Sequence, residues 1–252
     1  MTSYPIYNNK GIEKHKIASY QMDLKAQATL PVLCNYCQEI AGNHAHANGF
    51  GFKQMIQNGH IWVLTRFKVQ IDKYPKWNED IYIKTWLRNR QSFFSERDFL
   101  LLDNSKNKIG GALSGWMLLD LKSRRPKPVE GIPITIEMFP NDLSIKDPLK
   151  KIPAVEKIDS SYKKEAEFQD IDINQHVNNV KYIEWFLASF PYEFRKSKNV
   201  KSFEINYLAE MTFGESVDIN IEKINDDFFR SSMINLNSKK EICRAEIEWI
   251  DI

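Results

Sequence analysis

Residues 168–190 read FQDIDINQHVNNVKYIEWFLASF. The first part is polar: Asp170, Asp172, Asn174, Gln175, His176, Asn178 and Asn179 fall within ten residues. The second part is the reverse. Asn178 or Asn179 is placed to cap a helix that runs to Phe190 and is stopped by Pro191. Val180, Ile183, Phe186, Leu187 and Phe190 lie on one side of that helix, and Tyr182 and Trp185 carry the apolar arc almost all the way round. A helix with so little polar surface is wrapped by a sheet rather than laid on one. The stretch therefore predicts an α+β plan with a buried helix over 178–190.

The flanking sequence supplies the sheet. VKSFEINYL, ESVDINIEK, DFFRSSMINL and EICRAEIEWI follow the helix as four strand-like runs. WVLTRFKVQI, EDIYIKTWL, SFFSERDFLLL and IGGALSGWMLLDL stand in the same order earlier in the chain. Phe67 and Phe203 are 136 positions apart, and the same offset pairs Val69 with Ile205, Glu79 with Glu215 and Ile81 with Val217. A constant offset over both runs argues for duplication. The first copy has its own helix over 30–47, with Thr29 as cap and Pro31 in the first turn. Six of the ten prolines lie between 126 and 153. The reading is a first half over 1–130, a Pro-rich connector over 131–158 and a second half over 159–252, with ITIEMF (134–139) as a short edge strand.

Composition narrows the function. The 252 residues are 42% hydrophobic and 27% charged, ordinary for a soluble globular protein. Thirty-five Lys+Arg against 33 Asp+Glu leaves +2, which does not suggest a nucleic-acid binder. No apolar run approaches a membrane span, and the N-terminus reads as neither a secretory nor a transit leader. Three cysteines make an odd count and point to a reducing, cytoplasmic compartment.

In an extended segment Asp172, Asn174 and His176 project from one side. A carboxylate, an amide and an imidazole beside a helix N-terminus suit hydrolysis, since the helix end favours a developing oxyanion. An Asx-rich turn that merely caps the helix is the plainer alternative. Cys34 and Cys37 with His44 and His46 match no standard zinc spacing and read as packing residues, so no metal is expected. Gly49, Gly51 and Gly59 punctuate an FKQMIQ turn. Lys122, Arg124, Arg125 and Lys127 form a basic cluster, and Arg88 and Arg90 are read as the start of a neighbouring strand.

DIDINQHVNNVKYIEW resembles the signature of the fatty acyl-acyl-carrier-protein (acyl-ACP) thioesterases, with support from DLKAQATLPVLCNYCQEIAGNHA and INYLAEMTFGESV. The resemblance covers nearly the whole chain. It implies a tandem (double) hot-dog fold, each half a long helix wrapped by an antiparallel sheet. It also implies release of free fatty acid from acyl-carrier protein without a cofactor. The family's Asp-x-Asn-x-His falls on Asp172, Asn174 and His176, and its Glu, 34 residues beyond the His, falls on Glu210. The next family residue is Cys, and here it is Met211; a thioether cannot serve as a thiolate nucleophile. Cys34, Cys37 and Cys243 match no catalytic position. Water activated by a His/Glu/Asp/Asn set is the mechanism implied, with attack by Asp172 as the covalent alternative. In the first half, Asp23, Lys25 and Gln27 stand where Asp172, Asn174 and His176 would be, a copy without imidazole or amide that is left to shape the acyl pocket. The basic cluster is either a solvated loop or a dock for the acidic carrier protein and its phosphopantetheine phosphate. An acyl-CoA thioesterase, a non-catalytic acyl-binding module and a hot-dog dehydratase are the competing functions, and a homodimer stays open.

Overall fold

The computed structural model describes residues 5–132 and 134–252. It divides into two compact units, residues 1–149 and 150–252.

The first unit opens with β1 (Ile6–Tyr7) and β2 (Lys10–Lys16), then α1 (Leu30–Ala47) and the short α2 (Phe52–Gln57). Four long strands follow: β3 (His60–Ile71), β4 (Asp80–Gln91), β5 (Phe94–Leu102) and β6 (Lys108–Asp120), with β7 (Pro126–Lys127) folded back on β6. The antiparallel order is β1-β2-β4-β5-β6-β3. Thr29 caps α1 by accepting the Val32 N–H, with Pro31 in the first turn. Leu33, Cys34, Cys37 and Ile40 are fully buried on α1, and Phe67 meets Phe99 edge to face at 6.3 Å. The FKQMIQ segment is one and a half turns of helix rather than a simple turn, because Met55 gives it an apolar anchor beside Phe50 and Leu118.

The second unit repeats the plan. It comprises β8 (Ser160–Glu165), α3 (Asn179–Ala188), the short α4 (Tyr192–Ser197), β9 (Lys198–Tyr207), β10 (Ser216–Lys223), β11 (Phe228–Asn235) and β12 (Glu241–Asp251). Its antiparallel order is β9-β12-β11-β10-β8, so β3, β6, β5, β4 and β2 of the first unit correspond in turn. The leading strands β2 and β8 precede each helix and escape an apolar-pattern reading: SSYKKE carries one aromatic residue and is almost wholly exposed. In α3, Val180, Tyr182, Ile183, Trp185, Phe186 and Leu187 are buried, with Phe186 6.3 Å from Phe203.

The Pro-rich segment forms no strand at 134–139. Ile134 and Ile136 instead pack on the Phe50–Leu118 cluster, and among the described residues one backbone bond, Phe139 N–H to the Leu87 carbonyl, ties this run to a strand. Prolines at 133 and 140 bracket the run and remove a backbone donor at each of its ends. Beyond it, Ser144 donates to Asp98 Oδ1 at 2.6 Å, and Arg88 grips Asp98 through two N–H bonds at 2.5 and 2.8 Å. Gly111 is required there, since a Cβ would meet the Ser144 carbonyl at 2.8 Å. Within the second unit, Lys150 and Ile152 N–H groups donate to Glu204 and Asn206 on β9. Arg88 is thus a buried structural ion pair near the end of β4, not an exposed base at a strand's start.

Candidate active site

The polar segment ahead of α3 is a closed turn rather than an extended run. Asp170 is buried; its carboxylate accepts the Glu167 N–H, and its carbonyl accepts the Asn178 N–H at 2.8 Å. Ile171 and Val177 form an antiparallel bridge. Between them the Asp172 N–H donates to the His176 carbonyl at 2.8 Å, and the Gln175 N–H to the Asp172 carbonyl at 3.0 Å. Gln175 sits at φ +65°, which closes the loop. The Asp172 carboxylate belongs to this frame: Oδ1 accepts the Asn174 N–H at 2.7 Å and the His176 N–H at 3.4 Å. Alternating side chains on one face, as in a strand, is therefore the wrong geometry. Asx residues bond their own backbone two residues on, and that local bond outcompetes the extended form.

The turn hands over directly to α3. Asn178 caps it, with Oδ1 accepting the Val180 N–H at 2.8 Å and its carbonyl accepting the Lys181 N–H at 2.9 Å. Two of the first three helical N–H groups are thereby already used, so the helix end offers fewer donors to an oxyanion than its sequence suggests. Lys181 leans to Asp170 at 3.8 Å and Glu184 at 2.9 Å.

Glu210 arrives from the loop after β9. The Val177 N–H donates to the Met211 carbonyl at 2.8 Å, stitching this loop to the turn. A second stitch runs from the Tyr207 hydroxyl to the Asn179 carbonyl at 2.9 Å. These place Glu210 Oε2 3.5 Å from His176 Nε2, with the two side chains 42% and 32% exposed. The pair is wet enough to admit a water and too long for a direct hydrogen bond of ordinary strength. Asn174 is exposed, and its carboxamide makes no hydrogen bond among the described residues. Of the four sequence candidates, the fold brings His176 and Glu210 into contact, braces them with Asp172 through the backbone, and leaves Asn174 reaching out of the same turn. Asp170 and Tyr207 position the site and were not singled out by sequence; a buried acid one residue before a bridge and a tyrosine at a strand's end carry no recognisable pattern.

The thiols lie elsewhere. Cys34, Cys37 and Cys243 are buried, and burial pushes each thiol well above its ordinary range. Met211 is fully buried. The ring of His44 is committed, with Nε2 at 2.7 Å from the Asn8 carbonyl and Nδ1 at 3.0 Å from Arg97.

Two helix-and-sheet halves of matching strand order define a tandem hot-dog protein, here with an acid–base pair beside the second helix. An N-terminal acyl-ACP thioesterase domain model matches residues 8–132, and a C-terminal one matches 155–251. The chain belongs to the acyl-ACP thioesterase family. It is 28% identical to the chloroplastic palmitoyl-acyl carrier protein thioesterase of Arabidopsis thaliana over 94% of this chain and 63% of that protein. With the oleoyl-acyl carrier protein thioesterase 2 of the same plant it is 30% identical over 82% of this chain and 61% of that protein. The chain thus spans under two thirds of the length of these relatives. An acyl-ACP thioesterase structure from Bacteroides thetaiotaomicron superposes with a TM-score of 0.88 at 28% identity, covering 96% of this chain and 98% of that one. The 12:0-ACP thioesterase of Umbellularia californica shares the fold, with a TM-score of 0.88 at 23% identity over 99% and 100%. No helix among the described residues is long and apolar enough to cross a membrane.

Proposed function

We propose that this chain hydrolyses the thioester between a fatty acyl group and acyl-carrier protein, releasing free fatty acid. The observation that carries this reading is the His176–Glu210 pair, 3.5 Å apart at a helix start, in a chain whose thiols are all buried. The Glu210 carboxylate takes a proton from water, and the water oxygen attacks the thioester carbonyl. The carbon–sulfur bond then breaks; the proton on Glu210 passes to His176, 3.5 Å away, which delivers it to the departing thiolate, so one water is consumed for one acid and one thiol and both side chains are restored. The Asn174 carboxamide makes no hydrogen bond among the described residues and is assigned to the oxyanion. Asp172 holds the turn. Its Oδ1 accepts two backbone N–H groups of the turn, a structural use of the carboxylate that supports direct attack by water over an acyl-aspartate.

The test is release of free thiol from acyl-ACP, with acyl-CoA in parallel, read with a thiol-reactive chromophore. Wild-type protein is expected to prefer the carrier-protein substrate, and His176→Ala and Glu210→Ala to be slowed about 10²–10⁴-fold. Thiol release from acyl-CoA alone would reassign the substrate. No release from either would leave a module that binds acyl groups without cleaving them.

A further inference from the structure

The end of the first unit where β6 turns into β7 carries a concentrated positive charge. Lys122, Arg124, Arg125 and Lys127 lie within six residues, and all of 121–128 is exposed. The local acid, Asp120, supplies one carboxylate to this cluster: its Oδ1 accepts the Ser123 N–H and hydroxyl at 2.8 and 2.9 Å, and its Oδ2 pairs with Lys127 at 3.9 Å. Lys122 and Arg125 have no carboxylate within ion-pair distance among the described residues.

This is a built surface rather than a loose loop. The Arg124 N–H donates to the Asp120 carbonyl and the Asp120 N–H to the Arg125 carbonyl, each at 2.9 Å. Lys127 pairs with Leu118, and Pro126 with Leu119. The β4–β5 tip is fastened alongside: Phe94 pairs with Met117, and the Ser92 carbonyl accepts the Val129 N–H at 2.8 Å. That tip presents Phe93 and Phe94 at 40% and 41% exposure, so apolar rings stand beside the cations.

The duplicated fold provides a control. In the second unit the corresponding tip, between β10 and β11, carries Asp226 and Asp227, and the last strand ends at Asp251. There Lys198 pairs with Asp227 and Asp251 at 2.6 Å each and Lys223 with Asp226 at 2.7 Å, so the second copy's end is internally neutralised and the scaffold folds without an excess of cations there. We infer that this cationic, aromatic-flanked end of the first unit is the docking surface for the acidic acyl-carrier protein and the phosphodiester of its prosthetic arm. The inference rests on the hydrolase reading above. A cation cluster raises the encounter rate with an anionic partner in a salt-dependent way without taking part in the chemistry.

The experiment compares wild type with a Lys122→Glu, Arg125→Glu, Lys127→Glu triple variant, its folding checked by thermal melting. Acyl-ACP and a truncated acyl-pantetheine that lacks protein and phosphate are the two substrates. The expected result is a fall of about 10–100-fold in kcat/KM for acyl-ACP at low salt, with acyl-pantetheine within twofold of wild type. The salt dependence of the wild-type reaction should also flatten. Equal kcat/KM of wild type and variant on acyl-ACP overturns the docking assignment. Should wild type cleave neither substrate, the hydrolase reading fails on its own. Titration of carrier protein then decides docking: weaker binding by the triple variant upholds it, and unchanged binding overturns it. A Lys122→Gln, Arg125→Gln variant, with smaller loss in the same order, covers the case of a misfolded triple variant.

Discussion

The turn at Asp172–His176 has a twin at Asp23–Gln27. In the twin the Asp23 N–H donates to the Gln27 carbonyl at 2.9 Å, and the Ala26 N–H to the Asp23 carbonyl at 3.1 Å, with Ala26 at φ +57°. Asp23 Oδ1 accepts the Lys25 N–H at 2.9 Å, Met22 bridges Ala28, and the Thr29 N–H reaches the Gln21 carbonyl as that of Asn178 reaches Asp170. The Ala28 N–H even meets the Pro75 carbonyl at 2.8 Å, matching Val177 and Met211. What differs is the side chains. Lys25 replaces Asn174 and pairs with Asp23 at 3.4 Å, Gln27 replaces His176, and Tyr74 takes the place of Glu210. Burial holds the Tyr74 hydroxyl well above its ordinary range, so it is not a base. The aspartate is common to both turns because the turn needs it; the imidazole, the Asn174 amide and the glutamate are what the proposed hydrolysis adds.

The sharpest way to break this comparison is to convert the active turn into its twin. Asn174→Lys with His176→Gln keeps every backbone bond of the frame, so melting should be unchanged while turnover falls about 10²–10⁴-fold. Turnover near normal in that variant would remove the site from the second unit.

The next largest effect lies in the first unit and is one of pH. His44 is fully buried, and its ring pKa is driven down to about 4, by burial first and then by the neighbouring Arg97 guanidinium. Nε2 carries its proton toward the Asn8 carbonyl, so a second proton at Nδ1 would face the Arg97 N–H. The folded state therefore binds that proton less well than the unfolded chain, where the ring titrates near 6.5. Stability is complete above about pH 6.5 and is lost as the pH falls toward 4, by up to about 3 kcal/mol. Acid unfolding followed by the His44→Gln variant should show a flatter profile over that window. An identical profile would mean that His44 is already paired with a proton in the native state.

Asp172 and Asp23 should behave alike when truncated. Asp172→Ala and Asp23→Ala each remove a carboxylate that holds turn N–H groups, at a cost of about 1–2 kcal/mol in stability. Asp172→Asn keeps an acceptor oxygen and should keep most of the turnover. If Asp172→Asn were as inactive as His176→Gln in a folded protein, the negative charge would be doing chemistry and the comparison would have to be redrawn.

Much of this was legible in the chain. Both helices begin at residues with strong capping chemistry, Thr29 and Asn178; α3 is apolar on nearly every side, whereas α1 buries one stripe, and the eight long strands follow from their aromatic and branched runs. The partnership of His176 with Glu210 came from family resemblance, since 34 residues of helix and strand separate them. The equivalence of Tyr74 with Glu210 was hidden by a change of offset. The turns match at 149 positions and the strands at 136, because the first unit is thirteen residues longer between them, eight of these in α1, which has 18 residues against 10 in α3. The extended geometry expected of Asp172, Asn174 and His176 failed for a local reason: an aspartate two residues before a free N–H closes a turn in preference to a strand.

The smallest expected effect concerns the position where the family carries cysteine. Met211 is fully buried while its carbonyl holds the Val177 N–H, and Pro75 performs the same service for Ala28 with no side-chain functional group at all. The position is therefore used through its backbone. A Met211→Cys variant should lose some packing, about 1–3 kcal/mol of stability for the vacated volume. Its thiol would be buried as Met211 is, and burial disfavours the thiolate there as it does at Cys243. Turnover should stay within about twofold of wild type at neutral pH, and treatment with an alkylating reagent should leave both proteins active. Rapid alkylation of the introduced thiol with loss of turnover would show that this position opens to solvent during the reaction, and that the second turn differs from its twin in motion as well as in side chains.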